Sequence, residues 1–350
     1  MTAPLRVGVV GCGLIAARYV KDAPAFPSWV PVACADLDAD AAEAFAEEHE
    51  LRAVPVDALP GDAEVDLVLN LTPPKAHAPI LRAALAAGKH AYTEKPLAAT
   101  AAEARELVAE SKRRGVRLGC APDTFLGSAY ETGRRLIEKG AVGRPLGAAA
   151  TMLVGGPESW HPNAAMFFRA GGGPLLDIAP YYLTALVSLL GPIASVVAFT
   201  EMPTPSRTLG AGPRAGETIE VEVPTHATAV IRLASGALAT LVVSFEALGQ
   251  YVSGLVVYGS DGSLALPDAN GFGGDVVLRR GRTDEAVSYA SRGAQETRGL
   301  GLEELAVALA AGRPHRASAE LALHVLEAAE AAVRSGEEGR AVDVAQLASP

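Results

Sequence analysis

The sequence predicts an α/β domain built on a doubly wound parallel sheet, followed by an α+β domain with a large, mostly antiparallel open sheet. Three observations carry this reading. The 350 residues, 49% of them hydrophobic, are enough for two separate cores. From Leu5 to about Ala121, short apolar strands alternate with Ala-rich helical segments, as parallel strands covered by helices on both faces require. Beyond Pro122 strand-like runs follow one another with tight turns between some of them, which implies antiparallel pairing. The boundary falls at 122, giving domains 1–122 and 123–350, with a C-terminal helix able to pack back on the first domain.

The strands of the first domain are RVGVV, VPVACA, DLVLNL, KHAYT and VRLGCA. Between them, Ala76 to Ala87 reads as a helix stopped by Gly88, and Ala101 to Arg114 as another stopped by Gly115, because glycine adopts the left-handed conformation that ends a helix. In the second domain a helix near Ser128 to Lys139 leads into a strand around Ala148 to Val154. Strands follow at Ser195–Thr200, Thr228–Leu233, Ala237–Phe245 and Gly254–Tyr258, then helices near Glu303–Ala311 and Ala319–Arg334. Pro203 to Gly216 is rich in Pro and Gly and reads as a loop.

Composition narrows the function. A formal net charge of −10 gives no electrostatic reason to approach nucleic acid or anionic lipid. The apolar stretch from Leu183 to Phe199 is short for a membrane span and is broken by Gly191-Pro192. The opening residues MTAPLRVGVVGCG enter a strand pattern almost at once and lack the features of an export signal, so a cytoplasmic location is expected. The three cysteines, Cys12, Cys34 and Cys120, lie in or beside apolar strands without metal-binding spacing, and no metal site is expected.

Gly11-Cys12-Gly13-Leu14-Ile15-Ala16 follows the first strand directly and opens a helix, the context in which G-x-G-x-x-G/A binds a dinucleotide. Gly11 makes the tight turn, Gly13 lets backbone approach the pyrophosphate, Ala16 packs helix on strand, and the amides that open the helix at Leu14 and Ile15 face phosphate. Asp36 closes the second strand, where a carboxylate accepts from the ribose hydroxyls. It would repel a 2′-phosphate, and Leu37 and Asp38 offer no arginine to receive one, so NAD is favoured over NADP.

Thr93-Glu94-Lys95-Pro96 follows the strand KHAYT and places Lys95 at the carboxyl edge of the sheet, where doubly wound folds bind ligands. With this signature, the segment LNLTPPKAH and the run Gly171 to Tyr181 (GGGPLLDIAPY), the sequence resembles the Gfo/Idh/MocA family of oxidoreductases over essentially its whole length. The resemblance implies a Rossmann fold followed by a substrate domain, and hydride transfer between NAD(P) and a secondary alcohol of a sugar, glycoside or polyol. It also implies a homodimer or homotetramer built on the sheet of the second domain.

The resemblance further assigns residues. The lysine, aspartate and histidine that surround the reacting carbinol in the family match Lys95, Asp177 and Tyr181, all three also substrate-binding. Tyrosine thus stands where histidine is usual, a substitution found in some branches of the family, where tyrosine serves as the acid/base. A phenol, with an unperturbed pKa of about 10, is a poor base until a cation lowers it, and the Lys95 ammonium is such a cation. Alternatively Lys95 itself shuttles the proton while Tyr181 orients, and Pro180, suited to a first helical turn, leaves Tyr182 as a neighbouring candidate.

Thr72, Pro73, His77, Glu94, Lys95 and Arg169 join the cofactor-binding set by the same resemblance. Trp160 and His161, an indole beside an imidazole in a polar loop, are candidates for a sugar-stacking platform with a hydrogen-bonding tip. The rival reading is a catalytically silent NAD-binding sensor or regulatory protein, which the replaced histidine keeps open.

Overall fold

The computed structural model describes residues 3–249, 251–281, 285–291 and 297–347. The chain forms two compact units, Met1–Leu126 with Ala294–Leu323, and Gly127–Gly293 with His324–Leu347.

In the first unit six parallel strands, β1 (Leu5–Val10), β2 (Trp29–Ala35), β3 (Arg52–Ala53), β4 (Leu67–Asn70), β5 (His90–Thr93) and β6 (Leu118–Cys120), lie in the order 3-2-1-4-5-6. Helices α1 (Leu14–Asp22), α2 (Ala39–His49), α3 (Pro74–Ala86) and α4 (Ala101–Arg114) connect them. β4 is buried along its whole length, which is why Leu67, Val68 and Leu69 run apolar in succession rather than alternating. Local signals set the helix ends. Asp38 caps α2 by accepting from the amides of Asp40 and Ala41 at 3.1 and 3.3 Å. Thr100 caps α4 through the Glu103 amide at 3.2 Å, and Gly115, at φ 67°, ends it. Helix α3 starts two residues earlier than the sequence suggested, because Pro74 fits the first helical position and needs no N–H there.

The core of this unit is completed from the far end of the chain. Helix α8 (Leu300–Ala310) places Leu302 and Leu305, both fully buried, among Val7, Leu67, Tyr92 and Trp29. Glu303 accepts from the Ser28 amide at 3.0 Å and the Ser28 hydroxyl at 2.7 Å, and Cys120 donates its amide to Ala317 at 3.0 Å.

The second unit is built on nine strands in the order 16-15-14-13-7-12-11-8-17. They are β7 (Pro145–Leu153), β8 (Ile193–Glu201), β11 (His226–Leu233), β12 (Leu238–Ser244), β13 (Val252–Gly259), β14 (Gly262–Leu266), β15 (Gly274–Arg280), β16 (Ala286–Ser291) and β17 (Val342–Asp343). All pairs are antiparallel except β7 with β12. The segment read as a loop carries a small hairpin instead, β9 (Ser206–Thr208) paired with β10 (Thr218–Glu220).

Strand alternation gives this sheet two different faces. Val196, Ile231, Ala239, Ala148, Val257, Leu264 and Leu278 form one buried row across seven strands. Helices α5 (Ser128–Glu138), α6 (Pro174–Asp177) and α7 (Ala179–Leu190) pack on the sheet. The neighbouring register, Val197, Val230, Thr240, Ala149 and Val256, is exposed on the other face. Helix α9 (Ala319–Glu338) contains the chain division. Among the described residues no helix is long and apolar enough to cross a membrane. Cys34 and Cys120 are buried and Cys12 half-buried, all three free.

Because α8 closes the first core, Leu302→Ala should destabilise that unit by about 2–5 kcal/mol. Urea unfolding followed by the fluorescence of buried Trp29 measures it, and an unchanged midpoint would show that the C-terminal segment does not support the first core.

Candidate active site

In the first unit the site residues gather at the carboxyl ends of β1, β4 and β5, where the strand order reverses between β1 and β4. Gly11 has φ 94°, and a Cβ there would stand 3.0 Å from the Leu71 carbonyl and the Thr72 nitrogen, so only glycine fits. At Gly13 an added Cβ would meet nothing within 4 Å: this stretch of backbone faces open space. Helix α1 starts there with no side-chain cap and no acidic residue in its first turn, and Leu14 is 72% exposed while Ile15 is half-buried. Ala16, fully buried, sits where the third small residue of the fingerprint packs helix on strand. An uncapped helix start beside a clear approach suits the pyrophosphate of a dinucleotide.

Asp36 leans back over this turn. Its carboxylate accepts from the Cys12 amide at 2.8 Å and the Asp38 amide at 3.1 Å, which fixes its orientation and leaves acceptor capacity for two ribose hydroxyls. A groove of about 640 Å³ opens beside it, lined by Leu37, Ala53, Pro55, Pro79 and Ile80 among others, with Glu43 and Asp57 and no lysine or arginine in its walls. The residues present therefore fit the adenosine end of a dinucleotide.

The other side of the turn is braced by buried polar groups. Asn70, fully buried at the end of β4, accepts from the Thr72 hydroxyl at 2.7 Å and its amide at 3.3 Å, and Glu94 donates its amide to the Asn70 carbonyl at 2.9 Å. His77, assigned to the cofactor set by resemblance, is fully buried in the first turn of α3, with Nδ1 2.6 Å from the Pro96 carbonyl and Nε2 2.8 Å from the Thr72 carbonyl. Burial holds its pKa below the usual imidazole value, against the pull of those two carbonyls. Its work is to tie the Thr72-Pro73 turn to the turn at Lys95-Pro96. Glu94 is held from both sides, by the buried Tyr19 hydroxyl at 3.0 Å and the Lys95 amide at 3.2 Å, while Lys95 itself is half-buried.

In the second unit the Gly171–Gly173 run is required sterically. Gly171 and Gly173 have φ 90° and 83°, and a Cβ on Gly172 would lie 2.6 Å from the Phe167 carbonyl oxygen. The run opens α6, which ends at Asp177; Ile178 bends the chain, and Pro180 enters the first turn of α7. Asp177 and Tyr181, four residues apart across a near-helical Ile178, share one side of the bend, both half-buried. Tyr182 is removed from candidacy: it is fully buried, and its hydroxyl donates to Asp268 at 2.8 Å.

The loop before the glycines carries Trp160, 65% exposed, and half-buried His161, their ring centres 5.3 Å apart at 75°. His161 Nδ1 accepts from the Asn163 amide at 3.0 Å, which puts the proton of the neutral ring on Nε2. Burial lowers the His161 pKa while the Asp177 carboxylate pulls it up, so Asp177 and His161 share one electrostatic neighbourhood. Arg169 is exposed at the end of the same loop, and its charge acts on Glu217.

Sequence reasoning missed the residues that hold these side chains. Asn70 and Tyr19 are polar groups in apolar strand and helix patterns, which read as core. Arg207, in the Pro- and Gly-rich segment, is 7% exposed and bridges Glu158, at 2.9 Å, to Glu246. Nothing in that segment signals a buried charge.

Residues 5–121 match the profile described as oxidoreductase family, NAD-binding Rossmann fold, and residues 130–265 match the GFO/IDH/MocA C-terminal domain. The chain is 37% identical over 196 residues to a dTDP-3,4-didehydro-2,6-dideoxy-alpha-D-glucose 3-reductase of Streptomyces violaceoruber, covering 53% of this chain and 55% of that one. It is 33% identical over 178 residues to a 1,5-anhydro-D-fructose reductase of Ensifer adhaerens, covering 49% and 53%. The chain thus spans about half the length of these two relatives. A levoglucosan dehydrogenase of Pseudarthrobacter phenanthrenivorans is 29% identical over 299 residues, 75% of this chain and 73% of that one. The solved structure of an NAD binding oxidoreductase from Klebsiella pneumoniae superposes with a TM-score of 0.85 at 24% identity, covering 98% of this chain and all of that one, and establishes the fold. With both halves matched by the paired domains of one family, the chain belongs to the Gfo/Idh/MocA oxidoreductases.

Proposed function

We propose that the chain is an NAD-dependent dehydrogenase, or reductase in the reverse direction, acting on a secondary alcohol of a sugar, glycoside or other polyol. The observation that carries this reading is the braced turn at Glu94-Lys95, tied through Asn70 and His77 to the turn beside the Gly11-Cys12-Gly13 loop. A lysine beside a dinucleotide loop supports redox chemistry over simple binding. Sugar-related activities among the relatives support the substrate class.

In this reading residues 1–122 bind the dinucleotide and 123–350 bind substrate and build the oligomer. Gly11, Gly13, Leu14 and Ile15 present backbone to the pyrophosphate, Asp36 holds the adenosine ribose, and Thr72, Pro73, Glu94 and Lys95 border the nicotinamide end, with Arg169 as a further contact. When bound, the nicotinamide supplies the hydride acceptor or donor. Lys95 and Tyr181 take up the hydroxyl proton, the ammonium favouring the phenolate, and Asp177 fixes a neighbouring hydroxyl. Trp160 and His161 receive the sugar ring. The acidic groove beside Asp36 supports NAD over NADP, since a 2′-phosphate would meet carboxylates there.

The exposed apolar row of the large sheet supports a homodimer or homotetramer. Val197, Val230 and Val256 stand 38–46% exposed on one face, with Phe199 at 75% nearby, a concentration that marks an interaction surface.

The decisive assay follows absorbance of the reduced nicotinamide with NAD⁺ or NADP⁺ and a panel of monosaccharides, glycosides, inositols and sugar acids. Turnover with one polyol, faster with NAD⁺, is expected; Lys95→Ala should lower kcat by at least about 100-fold while NAD binding, read by calorimetry, is retained. Silence of the wild type despite NAD binding would instead assign the chain to the sensor reading. For the assembly, Val230→Lys with Val256→Lys should convert the oligomer to monomer in sedimentation velocity, and an unaltered sedimentation coefficient would place the interface elsewhere.

A further inference from the structure

We propose that the chain Glu158–Arg207–Glu246 is a positioning device that locks the Trp160–His161 loop into a platform for the ring of a cyclic polyol. This rests on the dehydrogenase reading for the identity of the ligand, though not for the existence of the lock.

Three charges are taken largely out of water here: the side chains of Arg207, Glu158 and Glu246 are 7%, 13% and 19% exposed. They come from separate segments. Glu246 lies just past β12 and is held by the Thr204 hydroxyl at 2.9 Å and by the Thr225 hydroxyl; Arg207 is the middle residue of β9; Glu158 belongs to the single turn that precedes Trp160. Burial raises the Glu246 pKa, and the two hydroxyls with Arg207 more than offset this, so the carboxylate stays charged. Arg207 also lies over the Phe168 ring at 5.5 Å, at the far end of the same loop.

Stability does not explain such a network. Buried ion pairs repay their desolvation poorly, and here Arg207 Nε and Glu158 Oε2 are buried without hydrogen-bond partners. A trio of apolar side chains would hold three segments together at least as well. What charges add is direction, because a guanidinium fork fixes where each carboxylate stands.

The hairpin that carries Arg207 grips the loop on both sides of the two rings. Gly210 donates its amide to the Glu158 carbonyl at 2.7 Å. At Gly212, φ 76°, a Cβ would lie 2.2 Å from the Pro162 carbonyl oxygen, so hairpin and loop touch backbone to backbone. Between these grips Trp160 is exposed, and His161 offers Nε2–H because Nδ1 is already accepting. A rigid exposed indole suits the flat C–H face of a saturated ring, and the imidazole N–H suits a ring hydroxyl. An open-chain alditol has no such face and loses more conformational freedom on binding, so the platform selects rings.

The test uses Glu158→Gln, which removes the loop's charge and leaves Arg207 paired with Glu246, and Arg207→Lys, which keeps charge without the fork. The chain has two tryptophans, and Trp29 is 2% exposed, so subtracting the signal of Trp160→Phe protein isolates the Trp160 indole. Time-resolved anisotropy should show a restrained indole in the wild type, a mobile one in E158Q, and an intermediate one in R207K. Steady-state kinetics should show KM for a cyclic polyol raised about 5–30-fold in E158Q with kcat within about 2-fold of wild type, and a smaller KM change for an open-chain alditol. Equal anisotropy in wild type and E158Q overturns the lock, and so does a fall in kcat at constant KM. A wild type that oxidises no polyol sinks the dehydrogenase reading instead, while the indole measurement, which needs no turnover, still decides the lock.

Discussion

The close approach of two backbones at the carboxyl ends of β1 and β4 is the constraint on which the first unit's site depends. With the Leu71–Thr72 peptide 3.0 Å from where a Cβ of Gly11 would be, the chain after β1 must turn away in a left-handed conformation, which points the start of α1 and its free amides at the crevice. The same contact fixes where the chain leaves β4, and so where Thr72 stands. One missing side chain thereby sets both walls of the dinucleotide cleft.

Buried polar groups then carry that position outward. Asn70 takes the Thr72 hydroxyl, His77 spans from Thr72 to Pro96, and Tyr19 holds Glu94, so each turn at the strand ends is fastened to the next by a hydrogen bond out of water. In low dielectric such bonds are stiff, and leaving any partner unmatched is expensive, typically about 1–3 kcal/mol. A turn that must present a lysine at a defined place gains more from this fastening than from apolar packing, which is tolerant of small shifts.

The parts of this architecture that were legible in the sequence are those that use backbone chemistry. Glycines at Gly11 and Gly115 and the strand-like runs of the second domain each leave a local pattern, and the elements they mark appear close to where that pattern puts them. The hairpin β9–β10 was read as loop because its strands are three residues each, and its partners are set by tertiary contact rather than by alternation. His77 was legible as a residue near the cofactor turn but not as a brace, since the two carbonyls its ring nitrogens meet lie 5 and 19 residues away. Tyr181 and Tyr182 could not be separated in the sequence. In the structure Tyr182 is buried with its hydroxyl on Asp268, while Tyr181, one position along the helix, stays half-buried.

In the proposed reading the strand ends hold the groups that any secondary alcohol needs, and these are fixed by the regular sheet, so they change little without unmaking the fold. The residues that would distinguish one polyol from another sit on irregular segments, and such segments have no ladder to hold them. Buried charge supplies what the ladder does not: Arg207 fixes Glu158 through geometry rather than through apolar contact, and with it the direction of the loop that ends in Trp160 and His161. The hairpin and Lys95 are anchored to different sheets, so in the proposed reading ring selection and proton transfer can vary separately.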